Sequence, residues 1–191
     1  MKYFLVAFTL LMSQATRAQL TTTVNWRGTS RPSSDTIFYD PSSKLAWSDF
    51  RGRPEKRSIA AAITCSGFGY SCSMRARNNK GGLTINVYCF YDKNKSWVKP
   101  EDASDYALTH EQHHFDITYL ATCRFINKLR STTFSMNNYS EEVDKIYNEC
   151  YDELESMQNE YDGKTMNGRL RDVQYEWNNR IDKMLAALVI N

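Results

Sequence analysis

Apolar residues along this chain change their period once, close to residue 100. Leu83, Ile85, Val87, Cys89 and Tyr91 fall on alternate positions, the period of a strand with one buried face. Upstream, Thr21 to Trp26 and Thr36 to Tyr39 are short β-prone runs, divided by a Gly/Ser/Pro-rich link from Gly28 to Ser34, and they read as edge strands. Lys44 to Gly52 carries Trp47 and Phe50 and leads into a basic loop, Arg51 to Arg57. Ala60 to Arg77 reads as two extended segments whose apolar parity shifts near Gly67 and Gly69, as at a bulge or tight turn. Asn78 to Gly82 is a turn signal.

Beyond Pro100 the period lengthens to that of a helix. Pro100, Glu101 and Asp102 suit a first turn, and Ala107, His110, His114, Ile117 and Ala121 then mark one face as far as Leu129. Ser131 to Asn138 is a polar break, with Asn138 and Glu141 spaced as a capping box. Val143, Tyr147, Cys150, Leu154, Met157 and Tyr161 stripe a second helix, which Asp162-Gly163-Lys164 is expected to break. Asn167-Gly168 opens a third, striped by Leu170, Val173, Trp177, Ile181, Met184 and Leu188. The expectation is an α+β domain, a small antiparallel sheet followed by about three helices: β-rich over 20–98 and helical over 100–190.

The first residues change where this domain belongs. Lys2 supplies a positive start, Tyr3 to Met12 a short apolar run, and Thr16-Arg17-Ala18 a small-residue cleavage site, so residues 1–18 read as a signal peptide cut near Ala18-Gln19. The run is too short to span a bilayer, and residues 19–191 are expected to be exported, to the periplasm or medium, with no transmembrane segment. No cysteine precedes Cys65, which argues against a lipid anchor. Without Lys2 and Arg17 the 24 basic residues fall to 22, against 22 acidic ones, and a near-neutral surface argues against nucleic acid as a partner. Cys65, Cys72, Cys89, Cys123 and Cys150 are spaced too irregularly for a zinc knuckle and read as one or two bridges or buried thiols.

The chemistry is concentrated in Leu108-Thr109-His110-Glu111-Gln112-His113-His114, which holds all 3 histidines of the chain. Read as H-E-x-x-H on a helix, it sets His110 and His114 on one face, placed to share a metal ion, with Glu111 beside them. In zinc hydrolases with this spacing the adjacent carboxylate is the general base, taking a proton from a water whose pKa the ion has lowered to about 7. A catalytic zinc takes a third protein ligand, and no histidine remains for it. If the first two helices are antiparallel, His110 and His114 lie level with about residues 155 to 159, which makes Glu155, Glu160, Asp162 and Asn167 the candidates. Glu149 and Glu153 fall a turn too early.

Trp47-x-x-Phe50-x-Gly52, Ala61 to Thr64, Ser96-Trp97-Val98, the His110 motif through Ile117, and Tyr161-Asp162-x-x-Thr165-x-x-Gly168 with Gln174 and Trp177 together resemble a bacterial family, domain of unknown function 922. The resemblance runs from about residue 44 to 185 and implies a secreted, zinc-dependent, zincin-like protease acting on a protein or peptide. Two positions depart from the family pattern. His113 stands where glycine is usual, at a variable position, and Asn167 stands where the family has the histidine of a T-x-H-G motif. The resemblance therefore makes Asp162 the preferred third ligand to zinc and Asn167 the second, with Tyr161 or Asn167 as a contact to a substrate carbonyl. Loss of that histidine also supports an alternative, a catalytically weakened zincin-like binding module of the cell envelope.

Overall fold

A computed structural model describes residues 19–26, 34–77 and 80–188 of the chain. Residues 1–18, read as a signal peptide, most of the Gly28 to Ser34 link, and Asn78 and Asn79, read as part of a turn signal, lie outside these residues. The strands are β1 (Gln19–Trp26), β2 (Thr36–Phe38), β3 (Ala62–Ile63), β4 (Ser66–Arg77), β5 (Lys80–Asp92) and β6 (Trp97–Val98), and the helices are α1 (Asp105–Ser131), α2 (Tyr139–Thr165) and α3 (Arg171–Ala186). The architecture is α+β.

β5 is the central strand. Leu83, Ile85, Val87, Cys89 and Tyr91 are all at 0 % exposure on its inner face, so the alternation read from the sequence marks the floor of the core. β4 pairs with one edge of β5 in an antiparallel hairpin, while β1 and β2 share the other edge. The sheet is mixed rather than purely antiparallel, because β1 runs parallel to β5 and β2 antiparallel to it. Gly67 and Gly69 mark no bulge: β4 keeps an unbroken register with β5, Ser66 opposite Tyr91 through to Arg77 opposite Lys80. The glycines make room for aromatic neighbours instead. A Cβ at Gly67 would stand 3.0 Å from the Phe90 ring, and one at Gly69 2.8 Å from the Tyr88 hydroxyl. The break in the extended run falls at Thr64-Cys65, where the chain leaves β3, which pairs with β6 in a separate ladder.

α1 lies between this sheet and the other two helices, with contacts to β1, β3, β4, β5, α2 and α3. Being covered on several sides, it buries polar residues together with apolar ones, and those need internal partners. Thr118 and Thr122 donate to the carbonyls of His114 and Thr118. The fully buried Asp116 accepts from the Tyr39 hydroxyl and from Gln112 Nε2, each at 2.8 Å, while Gln112 Oε1 accepts from the Leu45 amide. This network ties the segment after β2 to the back of α1. Asp116→Ala leaves two core donors without an acceptor and is expected to destabilise the fold by about 2–4 kcal/mol, read as a lowered urea midpoint.

The helix boundaries differ in detail from the sequence reading. Pro100–Asp102 forms a separate 3-10 turn, and α1 is capped by Ser104, whose side chain accepts from the Ala107 amide. Asn138 makes no side-chain cap and so no capping box with Glu141; Glu142, one residue on, accepts the Ser135 amide. α2 runs straight through Asp162-Gly163-Lys164 and stops at Met166, whose φ of 51° begins a left-handed stretch. The five cysteines are free thiols, with Cys89, Cys123 and Cys150 buried. Among the described residues no helix is long and apolar enough to cross a membrane.

Candidate metal centre

One turn of α1 separates His110 from His114, and both rings face α2. The antiparallel pairing of the two helices sets Gln158 level with His114 and Asp162 level with His110. Asp162 Oδ1 lies 3.2 Å from His110 Nε2 and 3.0 Å from His114 Nε2, and the two Nε2 atoms are 3.2 Å apart. Ligand atoms held about 2.0–2.1 Å from a tetrahedral ion lie about 3.3 Å from each other. The triangle therefore has the size of three corners of such a site, and these residues can hold a metal ion.

The tautomers decide what fills that triangle. Gln158 donates through Nε2 to the backbone carbonyl of His114, which can only accept, so its Oε1 faces His114 Nδ1. Gln174 is buried in α3; its Nε2 donates to Asn178 Oδ1 and the Tyr161 hydroxyl, and its Oε1 lies 2.8 Å from His110 Nδ1. Each Nδ1–H is thus spoken for, and each Nε2 turns a lone pair toward an anionic oxygen. Three acceptors converge and need a cation or protons between them. A proton on His114 is one such cation: burial disfavours charge there, but the hydrogen bond to Asp162 and the charges of Glu111 and Asp162 outweigh it and lift the imidazole from 6.5 to about 9. Burial likewise pushes the Asp162 carboxyl up, and the hydrogen bonds from His110 and His114 overcome it, holding the group below its usual range.

Glu111 stands next to this trio at 6 % exposure. Among the described residues its Oε2 is buried without a hydrogen-bond partner, although Thr64 Oγ1 donates to its backbone carbonyl at 3.2 Å. His113 points away toward α3, donating from Nδ1 to the Thr109 carbonyl at 2.7 Å, with Asp182 Oδ1 3.5 Å from Nε2, which makes no hydrogen bond among the described residues.

A turn after α2 forms the wall beside His110. Met166, Asn167 and Gly168 are all left-handed, with φ of 51°, 53° and 78°. Amides of this turn are satisfied locally: Asn167 N donates to Asp162 O at 2.8 Å and Gly168 N to Thr165 Oγ1 at 3.2 Å. The Tyr106 hydroxyl donates to Gly168 O at 2.5 Å. A Cβ at Gly168 would meet His110 Nδ1 at 3.4 Å, an ordinary contact, so it is the left-handed conformation that calls for glycine there. Two non-glycine residues held left-handed at a site are a strain the surrounding turn has to impose.

The trio and Glu111 open on a cleft of about 740 Å³, whose walls include Ala60 to Thr64, Glu155, Gln158, Asn167, Arg169 and Arg171. Residues 92–168 match the family model described as "Bacterial protein of unknown function (DUF922)". This is the family the sequence motifs resemble, over a narrower span than the 44–185 those motifs suggested. The DUF922 segment runs from the end of β5 through β6, α1 and α2 to Gly168, and so contains His110, Glu111, His114, Asp162 and the left-handed turn. Gln174 lies beyond it. No curated protein and no solved structure matches the chain.

Of the residues singled out in the sequence, the DUF922 segment brings His110, His114, Asp162, Glu111 and Asn167 to one cleft. Tyr161 is not among them. Its ring is fully buried and stacks on the back of His110 at 4.7 Å, and its hydroxyl is engaged by Gln174 and points at the His110 carbonyl, 3.4 Å away. Burial, first, raises its pKa far above the phenol range, so it stays neutral as packing behind a ligand. Glu160 faces away and pairs with Arg180 at 3.8 Å; Glu149 and Glu153 pair with Lys128. Glu155 lines the cleft outside the ligand triangle. Gln158 and Gln174, which fix the imidazoles, carried no role in the sequence reading. Gln158 was within reach: it sits in the 155–159 window expected to face the histidines, but amides are weak metal ligands, and within that window Glu155 is the candidate the sequence offers.

Proposed function

We propose that the chain is a secreted zinc-dependent metallopeptidase. The observation that carries this reading is the buried, unpartnered Glu111 Oε2 beside three converging acceptors on an open cleft. A desolvated carboxylate oxygen with no partner is costly to the fold, and a cost of this kind is expected where the group is kept to carry a proton during the reaction. The nitrogen, nitrogen and oxygen donor set of His110, His114 and Asp162 suits zinc, with room for a further position. When bound there, zinc supplies a Lewis acid and lowers the pKa of a coordinated water to about 7.

The residues of the chain divide the remaining work. Glu111 takes the proton from the attacking water and returns it to the leaving amine. Gln174 and Gln158 keep both imidazoles turned toward the cleft. The side-chain amide of Asn167, on the cleft wall and carrying no hydrogen bond among the described residues, is placed to donate to a substrate carbonyl as charge develops on it. Export rests on the signal-like composition of residues 1–18.

The test is hydrolysis of an unfolded protein substrate by the mature chain. Activity is expected to vanish with a chelator and return with stoichiometric zinc. One observation favours a second reading: Asn167 in place of the histidine of the resembled family supports a binding module that keeps the metal without turnover. A zinc-loaded protein that cleaves nothing while folded supports that module instead.

A further inference from the structure

On the Tyr106 side of the cleft, two cations lack a carboxylate partner among the described residues. Arg169 and Arg171 both line the cavity, and among the described residues neither forms an ion pair. Arg171 is nevertheless held in place: its guanidinium carbon lies 4.9 Å from the centre of the Tyr106 ring. Tyr106 is itself fixed, donating to the Gly168 carbonyl at 2.5 Å and packing edge-on against Tyr175 at 6.4 Å. A stacked guanidinium is pre-organised, so less conformational freedom is lost when it grips a second group. Asp102 and Glu155 also line the cleft, but neither pairs with these arginines, and both guanidinium forks remain available.

The position of this end relative to the metal centre follows from the helix. Tyr106 precedes His110 by one turn of α1, about 6 Å along the axis. An extended peptide advances about 3.3–3.6 Å per residue, so that offset corresponds to about two residues. A planar fork with several donors matches a carboxylate best, through two parallel charge-assisted hydrogen bonds.

We propose that Arg171, assisted by Arg169, forms a carboxylate-recognising end of this cleft, so that favoured peptides carry an acidic side chain or a free C-terminus about two residues from the bond at the metal centre. The substrate class rests on the peptidase reading, while the recognition itself does not require turnover. It is therefore tested by binding as well as by cleavage.

Two pairs of nonapeptides serve as probes, one pair differing only in Glu or Gln two residues from the centre, the other only in a free or amidated C-terminus placed there. Their affinities are measured by calorimetry on zinc-loaded Glu111→Gln protein, and their cleavage on the zinc-loaded wild type. At least one carboxylate peptide is expected to bind about tenfold or more tighter than its neutral twin, a preference that falls to within about twofold when Arg171→Gln and Arg169→Gln are added. Arg171→Lys, which keeps the charge and most of the stem, is expected to retain only part of it, separating a bidentate fork from a general positive field. Equal affinities within both pairs, or a preference that survives the double substitution, overturns the proposal whether or not peptides are cut. A preference that is present and arginine-dependent supports it even if nothing is cleaved, in which case the hydrolytic reading fails alone.

Discussion

Glu111→Gln is expected to lower kcat/KM by about 10²–10⁴-fold, the range that loss of a positioned general base produces. The substitution keeps the volume of the side chain and leaves the Thr64 hydrogen bond untouched, because that bond goes to the backbone carbonyl of Glu111. What it removes is basicity at an oxygen that is buried and unpartnered among the described residues. Zinc content and the unfolding midpoint are expected to stay close to wild type, since Glu111 is outside the ligand triangle. Steady-state cleavage of an unfolded substrate, with zinc assayed on the same preparations, is the measurement. A variant that hydrolyses at the wild-type rate removes Glu111 from the chemistry.

Asp162→Ala is expected to weaken zinc binding by about 100-fold or more, beyond the 10–100-fold that loss of an outer-shell partner typically costs. Asp162 Oδ1 is the atom both imidazoles face, and removing it leaves two nitrogens and no anionic donor. Asn167→Ala separates the two candidates for third ligand. Asn167 stands outside the trio, so its loss is expected to change zinc affinity by less than about threefold while lowering kcat, as a donor to the transition state would. Competition with a chromophoric chelator gives both affinities. The reverse ranking, with Asn167→Ala the more damaging to metal binding, makes the amide the third ligand.

The parts of this molecule that the sequence made legible are those where one physical demand dominates. Strand β5 has one face to bury, and its alternation from Leu83 to Tyr91 says so directly. The pairing of α1 with α2 was also readable, because a short connection forces antiparallel register and thereby sets residues near 158 opposite His114. That geometry, joined to the resemblance, pointed to Asp162.

Where two demands compete, the pattern misleads. Gly163 inside α2 costs about 1 kcal/mol against alanine, yet the helix continues because Tyr161 and Thr165 on either side of it are packed into the core. Gly67 and Gly69 look like a bulge when read along one strand, and only the partner strand shows that Phe90 and Tyr88 need the space. α1 was expected to show one apolar face, but it is covered by the sheet, α2 and α3 together, so Gln112, His113 and Asp116 are buried too. The roles of Gln158 and Gln174 depend on which atom of an amide faces which ring nitrogen, and no spacing rule encodes that. Tyr161 illustrates the same limit: its place beside the motif was legible, but whether its hydroxyl faced the cleft or the core was set by Gln174, on another helix.

The measurement that bears most directly on this account is zinc per folded chain, determined on residues 19–191 after dialysis against a weak chelator, beside His114→Ala. The geometry of His110, His114 and Asp162 predicts about one zinc per wild-type chain and almost none in the variant, with both proteins folded by circular dichroism. A folded wild-type protein that retains no metal, or a variant that retains as much as wild type, would contradict it.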